Sequence, residues 1–88
     1  RILDSGRYRA TFEVSGSADT SNELVARVDA SSGGGNVVLG STDVKSDGKT
    51  EHSFDFVVNE RVGDLELRVW ATGKGAVTYR SVTLSPLP

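Results

Sequence analysis

Period-two alternation of apolar and polar side chains runs through most of this chain, and it restricts the fold more than any other feature. In Gly6–Val14, Tyr8, Ala10, Phe12 and Val14 share one parity, while Arg7, Arg9, Thr11 and Glu13 share the other. Successive side chains of an extended strand leave opposite faces, so such a pattern puts one face on a core and one in water. Glu23–Ala30 repeats it, with Leu24, Ala26, Val28 and Ala30 expected inward and Arg27 and Asp29 outward. Thr50–Val58 does so through His52, Phe54, Phe56 and Val58. A fourth segment sets Leu65, Leu67, Val69 and Ala71 against Glu66, Arg68 and Trp70.

Two further segments alternate less cleanly. Asn36–Val44 opens on Val37, Val38 and Leu39 and then meets Gly40, where a bend or bulge is expected. In Ala76–Leu84, Val77 and Tyr79 have one parity and Val82 and Leu84 the other. A bulge near Arg80 reconciles them, because one extra residue switches the face that follows; the alternative is a strand covered on both faces. Between these segments lie Gly-, Ser- and Asp-rich stretches such as Ser31–Asn36, Ser46–Lys49 and Thr72–Gly75, the residues that reverse a chain. Twelve Val favour strand, and no window carries a helical apolar stripe. The pattern therefore predicts an all-β chain: an antiparallel β-sandwich of six or seven strands. Pro86 and Pro88 follow the last expected strand, so residues 85–88 read as an exit segment.

At 88 residues the chain has room for one domain, residues 1–88, and a domain of that size buries only about 60% of the surface its unfolded chain exposes. It has no Cys, so no disulfide supports the core. The net charge is −2 and neither half is a polycation, which argues against nucleic acid as a partner. No apolar run approaches the roughly 20 residues that span a bilayer, so no membrane insertion is expected. A chain opening on Arg1 reads as a domain excised from a larger multidomain protein. An extracellular or cell-surface setting is the expectation, one that the absence of Cys permits without requiring.

Several segments taken in order carry a further signal. They are Gly6-x-Tyr8 opening a strand, the run from Glu23 to Asp29, His52–Phe56, Gly63–Arg68 and Tyr79–Leu84. Their order and spacing, over roughly residues 6 to 84, resemble the jelly-roll carbohydrate-binding modules and the broader galactose-binding-like fold. The resemblance implies a jelly-roll sandwich that binds an oligo- or polysaccharide without catalysing its turnover, attached to a polysaccharide-active or cell-surface protein. Such modules usually carry further strands before the Gly-x-Tyr strand, often with acidic residues that hold a structural calcium. Here only Arg1–Ser5 precede it, with Asp4 the sole carboxylate, so a structural calcium is left open by the resemblance but is not the expectation, and no other cofactor is expected. The missing strand leaves an open sheet edge, which invites a neighbouring domain or self-association. A structural or interaction module is accordingly the alternative function.

Trp70, the only tryptophan, is the leading candidate for a ligand contact. An exposed indole stacks on the C–H face of a pyranose while neighbouring polar groups bond its hydroxyls; Arg68, Tyr79 and Arg80 are the expected neighbours. The competing reading has Trp70 packing on a turn or on an adjoining domain. Arg9, Arg27 and Arg68 share outward parity among Glu13, Asp29 and Glu66. They either line a groove for an acidic glycan or form a solvated face whose charges pair across strands. His52, the only histidine, lacks a second ligand or an orienting partner at useful spacing, so it reads as an edge-of-core residue and no metal site is expected. Thr72–Gly75 lacks the longer Gly-Lys-Ser/Thr run and following helix of a phosphate loop. No catalytic residues are expected either, since a small sandwich offers little volume for a cleft flanked by two carboxyl groups.

Overall fold

The computed structural model describes residues 1–88 and is built entirely of strands and turns. In chain order the strands are β1 (Gly6–Ser17), β2 (Leu24–Ser32), β3 (Val37–Lys45), β4 (Glu51–Val58), β5 (Glu66–Ala71) and β6 (Ala76–Leu87). They form two three-stranded sheets, β4-β1-β6 and β3-β2-β5, with every neighbouring pair antiparallel. The sheets pack face to face as the expected sandwich, with six strands where a full jelly roll has eight.

The central strands supply most of the core, because only they are flanked on both sides within a sheet. Ala10, Phe12 and Val14 of β1 meet Val25, Ala26, Val28 and Ala30 of β2, with Val44, Phe56 and Val58 beside them. Aromatic stacking runs along one side: Tyr8 lies 5.7 Å from Phe56 and Phe12 lies 6.0 Å from Phe54, centroid to centroid. β3 closes onto β4 at Gly40, where an added Cβ would sit 2.7 Å from the Phe54 ring. One end is sealed by Leu3, which exchanges two 2.9 Å backbone hydrogen bonds with Val62, and by buried Leu65. His52 is buried beside this core with Nε2 3.3 Å from the Lys49 carbonyl, an edge-of-core position.

Bulges decide which residues point where. On β6, Glu13 pairs with Ser81 and Val14 with Tyr79, so Arg80 is the extra residue and the parity change is resolved as the sequence suggests. On β3, Ala30 pairs with Gly40 and Ser31 with Val38, which leaves Leu39 over and puts the irregularity next to Gly40. A third shift, between Leu24 and Ala26 of β2, corrects the simple alternation. Val25 rather than Leu24 fills the core, and Leu24 lines a groove on the opposite face. The alternation of Glu23–Ala30 looked clean because a bulge between two apolar residues leaves no mark on it.

A second correction concerns the C-terminal segment. Residues 85–87 continue β6 instead of leaving it, and Pro86 pairs opposite Tyr8. Proline is tolerated there because β6 is an edge strand. β6 is also the longest edge of the molecule. Its bulge at Arg80 and its proline interrupt the row of free backbone groups, devices that blunt an edge against pairing.

Candidate functional site

The outer face of the β3-β2-β5 sheet carries an ordered array set by strand register. Asp43, Arg27 and Trp70 form one row across the three strands, and Ser41, Asp29 and Arg68 form the next. Val38, Ser31 and Glu66 make a third, in which the buried Ser31 hydroxyl has no hydrogen-bond partner. Two-residue spacing along β5 puts Arg68 and Trp70 on this face together, as the sequence predicts. Strand pairing then brings Asp29 between them and the rest.

Asp29 organises the array. It is 4% exposed although it points away from the core. Its Oδ1 accepts the Arg68 Nε proton at 2.8 Å, and its Oδ2 accepts from Arg68 Nη2 at 2.9 Å and from the Trp70 indole at 3.1 Å. The Arg68 guanidinium lies 4.9 Å from the Trp70 ring centroid, within the range of a cation–π contact, and donates from Nη1 to the Gly35 carbonyl. The bidentate bond to Asp29 raises the Arg68 pKa above its ordinary value. The indole is thus held at its N–H by a buried carboxylate and on its ring by a guanidinium, yet the residue remains 53% exposed.

Beside this platform runs a groove of about 500 Å³, within the range of about 300–1,000 Å³ typical of small-molecule clefts. Leu24, Val38 and Trp70 give it apolar surface, and Arg27, Ser41 and Thr72 give it polar rims. No three or more His, Asp or Glu side chains converge on it or elsewhere in the chain as a ligand cluster.

The four residues singled out by sequence are not brought together. Arg68 and Trp70 share the groove, whereas Tyr79 and Arg80 lie on β6 in the other sheet. Tyr79 is 51% exposed. Arg80, displaced by its bulge, sits 3.9 Å from Glu13 and borders a separate cleft of about 240 Å³. The three outward arginines do not share a groove either. Arg9 occupies the outer face of the β4-β1-β6 sheet, and each arginine bonds the aspartate directly across from it: Arg9 with Asp55, Arg27 with Asp43, Arg68 with Asp29. Cross-strand charge pairing is what these arginines do. In the Arg9–Asp55 pair the hydrogen bond raises the Arg9 pKa and lowers that of Asp55. Sequence reasoning missed the roles of Asp29, Leu24, Val38, Ser41 and Thr72. For Asp29 the only signal was its shared parity with Arg27, which gave no hint of burial.

The turn after β2 is tied to the site. Gly33, Gly34 and Gly35 all have positive φ, 64°, 68° and 88°, which only glycine adopts in succession without strain. Their conformation aims amides at Asp64, whose carboxylate accepts from Gly34 at 2.7 Å and from Gly33 at 3.3 Å. These two N–H groups hold the Asp64 carboxyl below its ordinary pKa. A carboxylate with a depressed native pKa stabilises the fold fully above its unfolded value, about 3.9, and the contribution disappears as pH falls through the native value. The Gly33 and Gly34 amide resonances are therefore expected to hold steady at neutral pH and to shift below about pH 4. In Asp64→Asn that acid transition should be absent, as an NMR pH titration would show.

No family model, curated protein sequence or solved structure matches this chain.

Proposed function

We propose that this domain is a non-catalytic carbohydrate-binding module whose platform is Trp70. The observation that carries the reading is an indole anchored by Asp29 and Arg68 but half exposed beside a groove. A fixed aromatic ring loses little conformational freedom when a flat ligand stacks on it, so more of the contact energy appears as affinity. The C–H face of a pyranose suits the ring, and Arg27 and Ser41 line the groove with hydrogen-bonding groups for its hydroxyls. A shallow site of this kind binds weakly, on the order of mM to μM.

Titration of Trp70 fluorescence against a panel of neutral and acidic oligosaccharides tests the proposal. A saturable spectral change with one glycan class is expected. Because Trp70→Ala removes the reporter, calorimetry measures the variant, and its affinity should fall at least about tenfold, or 1.4 kcal/mol, with the β-sheet circular dichroism retained. Val38, exposed on β3 and lining the same groove, favours a second reading in which this face packs against another protein. Self-association in sedimentation, together with no response to any glycan, would select that reading.

A further inference from the structure

Resting on that reading, we infer that the groove selects an uncharged glycan and holds two adjacent hydroxyls of it between Arg27 and Asp43. Charge balance on this face is the first reason. The groove's two arginines are each matched by an aspartate, Arg68 by Asp29 and Arg27 by Asp43, so it has no unmatched cation for a uronate or a sulfate. The guanidinium best placed beside Trp70 is also already committed. Arg68 gives Nε and Nη2 to a buried carboxylate and Nη1 to Gly35, so its Nε–Nη2 fork is already occupied and cannot clasp a ligand carboxylate. An anionic sugar stacked on Trp70 would in addition lie beside Asp29.

Arg27 and Asp43 differ from that pair in the way a sugar site requires. They meet through one bond, Nε to Oδ1 at 3.0 Å, and both are well exposed, 56% and 44% for the side chains. Both Arg27 Nη groups and the Asp43 Oδ2 therefore keep their donor and acceptor capacity, side by side. Each hydroxyl of a vicinal pair donates one hydrogen bond and accepts others. One hydroxyl can donate to Asp43 Oδ2 while its neighbour accepts from Arg27 Nη. The row Asp43–Arg27–Trp70 sets the distance. Neighbouring strands lie about 4.8 Å apart, so a ring stacked on Trp70 carries its hydroxyls over Arg27 and toward Asp43.

The test compares neutral gluco-, manno- and galacto-oligosaccharides with oligogalacturonate, by calorimetry at low and high NaCl. It uses the wild-type chain, Asp43→Asn and Arg27→Gln. Permethylated forms of the neutral sugars keep the stacking face and remove every hydroxyl donor. The expected result is a neutral ligand whose affinity is insensitive to salt, falls about tenfold in either variant, and is lost on permethylation. Because the Arg27–Asp43 pair is exposed, both variants should keep the wild-type fold and Trp70 emission. Salt-dependent binding of oligogalacturonate that tightens in Asp43→Asn would overturn the inference and leave the sugar-binding reading standing. So would neutral binding that both variants leave unchanged. Failure of every glycan to bind the wild-type chain would overturn the reading itself, and the inference with it.

Discussion

Asp29→Ala is expected to cost about 3–5 kcal/mol of folding stability, because it breaks a buried ion pair by removing one partner. Arg68, whose side chain is 19% exposed, would keep only its bond to the Gly35 carbonyl, and the Trp70 indole N–H would lose its acceptor. A domain of this length has a total stability of roughly 4–13 kcal/mol at about 0.05–0.15 kcal/mol per residue, so the loss is a large share of it. Urea unfolding followed by Trp70 fluorescence measures the change. Asp29→Asn separates the structural and functional consequences. The amide keeps the shape and one acceptor oxygen but loses the charge-assisted fork, so a smaller loss, roughly 1–3 kcal/mol, is expected. In the native Asn variant the indole should be freer, seen as faster depolarisation of Trp70 emission, and ligand affinity should fall with it. A stability loss below about 1 kcal/mol for Asp29→Ala would mean that Arg68 finds equivalent solvation elsewhere and that the platform is not held as described.

Phe12→Ala should be as damaging for a different reason. Phe12 is fully buried on the central strand β1 and stacks on Phe54 from β4. Removing its ring subtracts transfer free energy and leaves a cavity between the sheets, at a cost of about 3–5 kcal/mol. For a domain of this size each kcal/mol corresponds to roughly 4–8 °C in Tm, so the variant should melt far below the wild type in a calorimetric scan. Phe12→Leu, which keeps most of the volume, should lose much less. No residue of β5 or β6 is fully buried, and truncation of Val69 or Val82 should accordingly be milder than truncation of Phe12. A flat response across all three would contradict a core centred on β1 and β2.

The two losses differ in how visible their causes were along the chain. Phe12 stands in an unbroken alternation with Ala10 and Val14, so its burial follows from strand geometry alone. Arg68 and Trp70 were legible as neighbours on one face for the same reason: residues two apart in a strand point the same way. The bulge at Arg80 was legible because apolar residues bracket the parity change. The bulge at Val25 was not, since Leu24 and Val25 are both apolar and either could have filled the core. The outward direction of Asp29 follows from its parity, but its burial depends on Arg68 and Trp70 from a strand some forty residues away closing over it.

Tyr79 and Arg80 mark the limit of that kind of reading. They follow Trp70 closely in sequence and looked like part of one site. The chain, however, crosses to the other sheet between β5 and β6, where β6 pairs with β1. Alternation is a local property, produced by the geometry of a single extended segment. It determined that this chain forms strands, which side chains share a face, and that two sheets must cover each other's apolar sides. Pairing partners, register and sheet membership come from contacts between distant segments, and these the tertiary structure alone decided. They set Asp43, Arg27 and Trp70 in one row, gave Asp29 its three hydrogen bonds, and moved Tyr79 and Arg80 away from the groove.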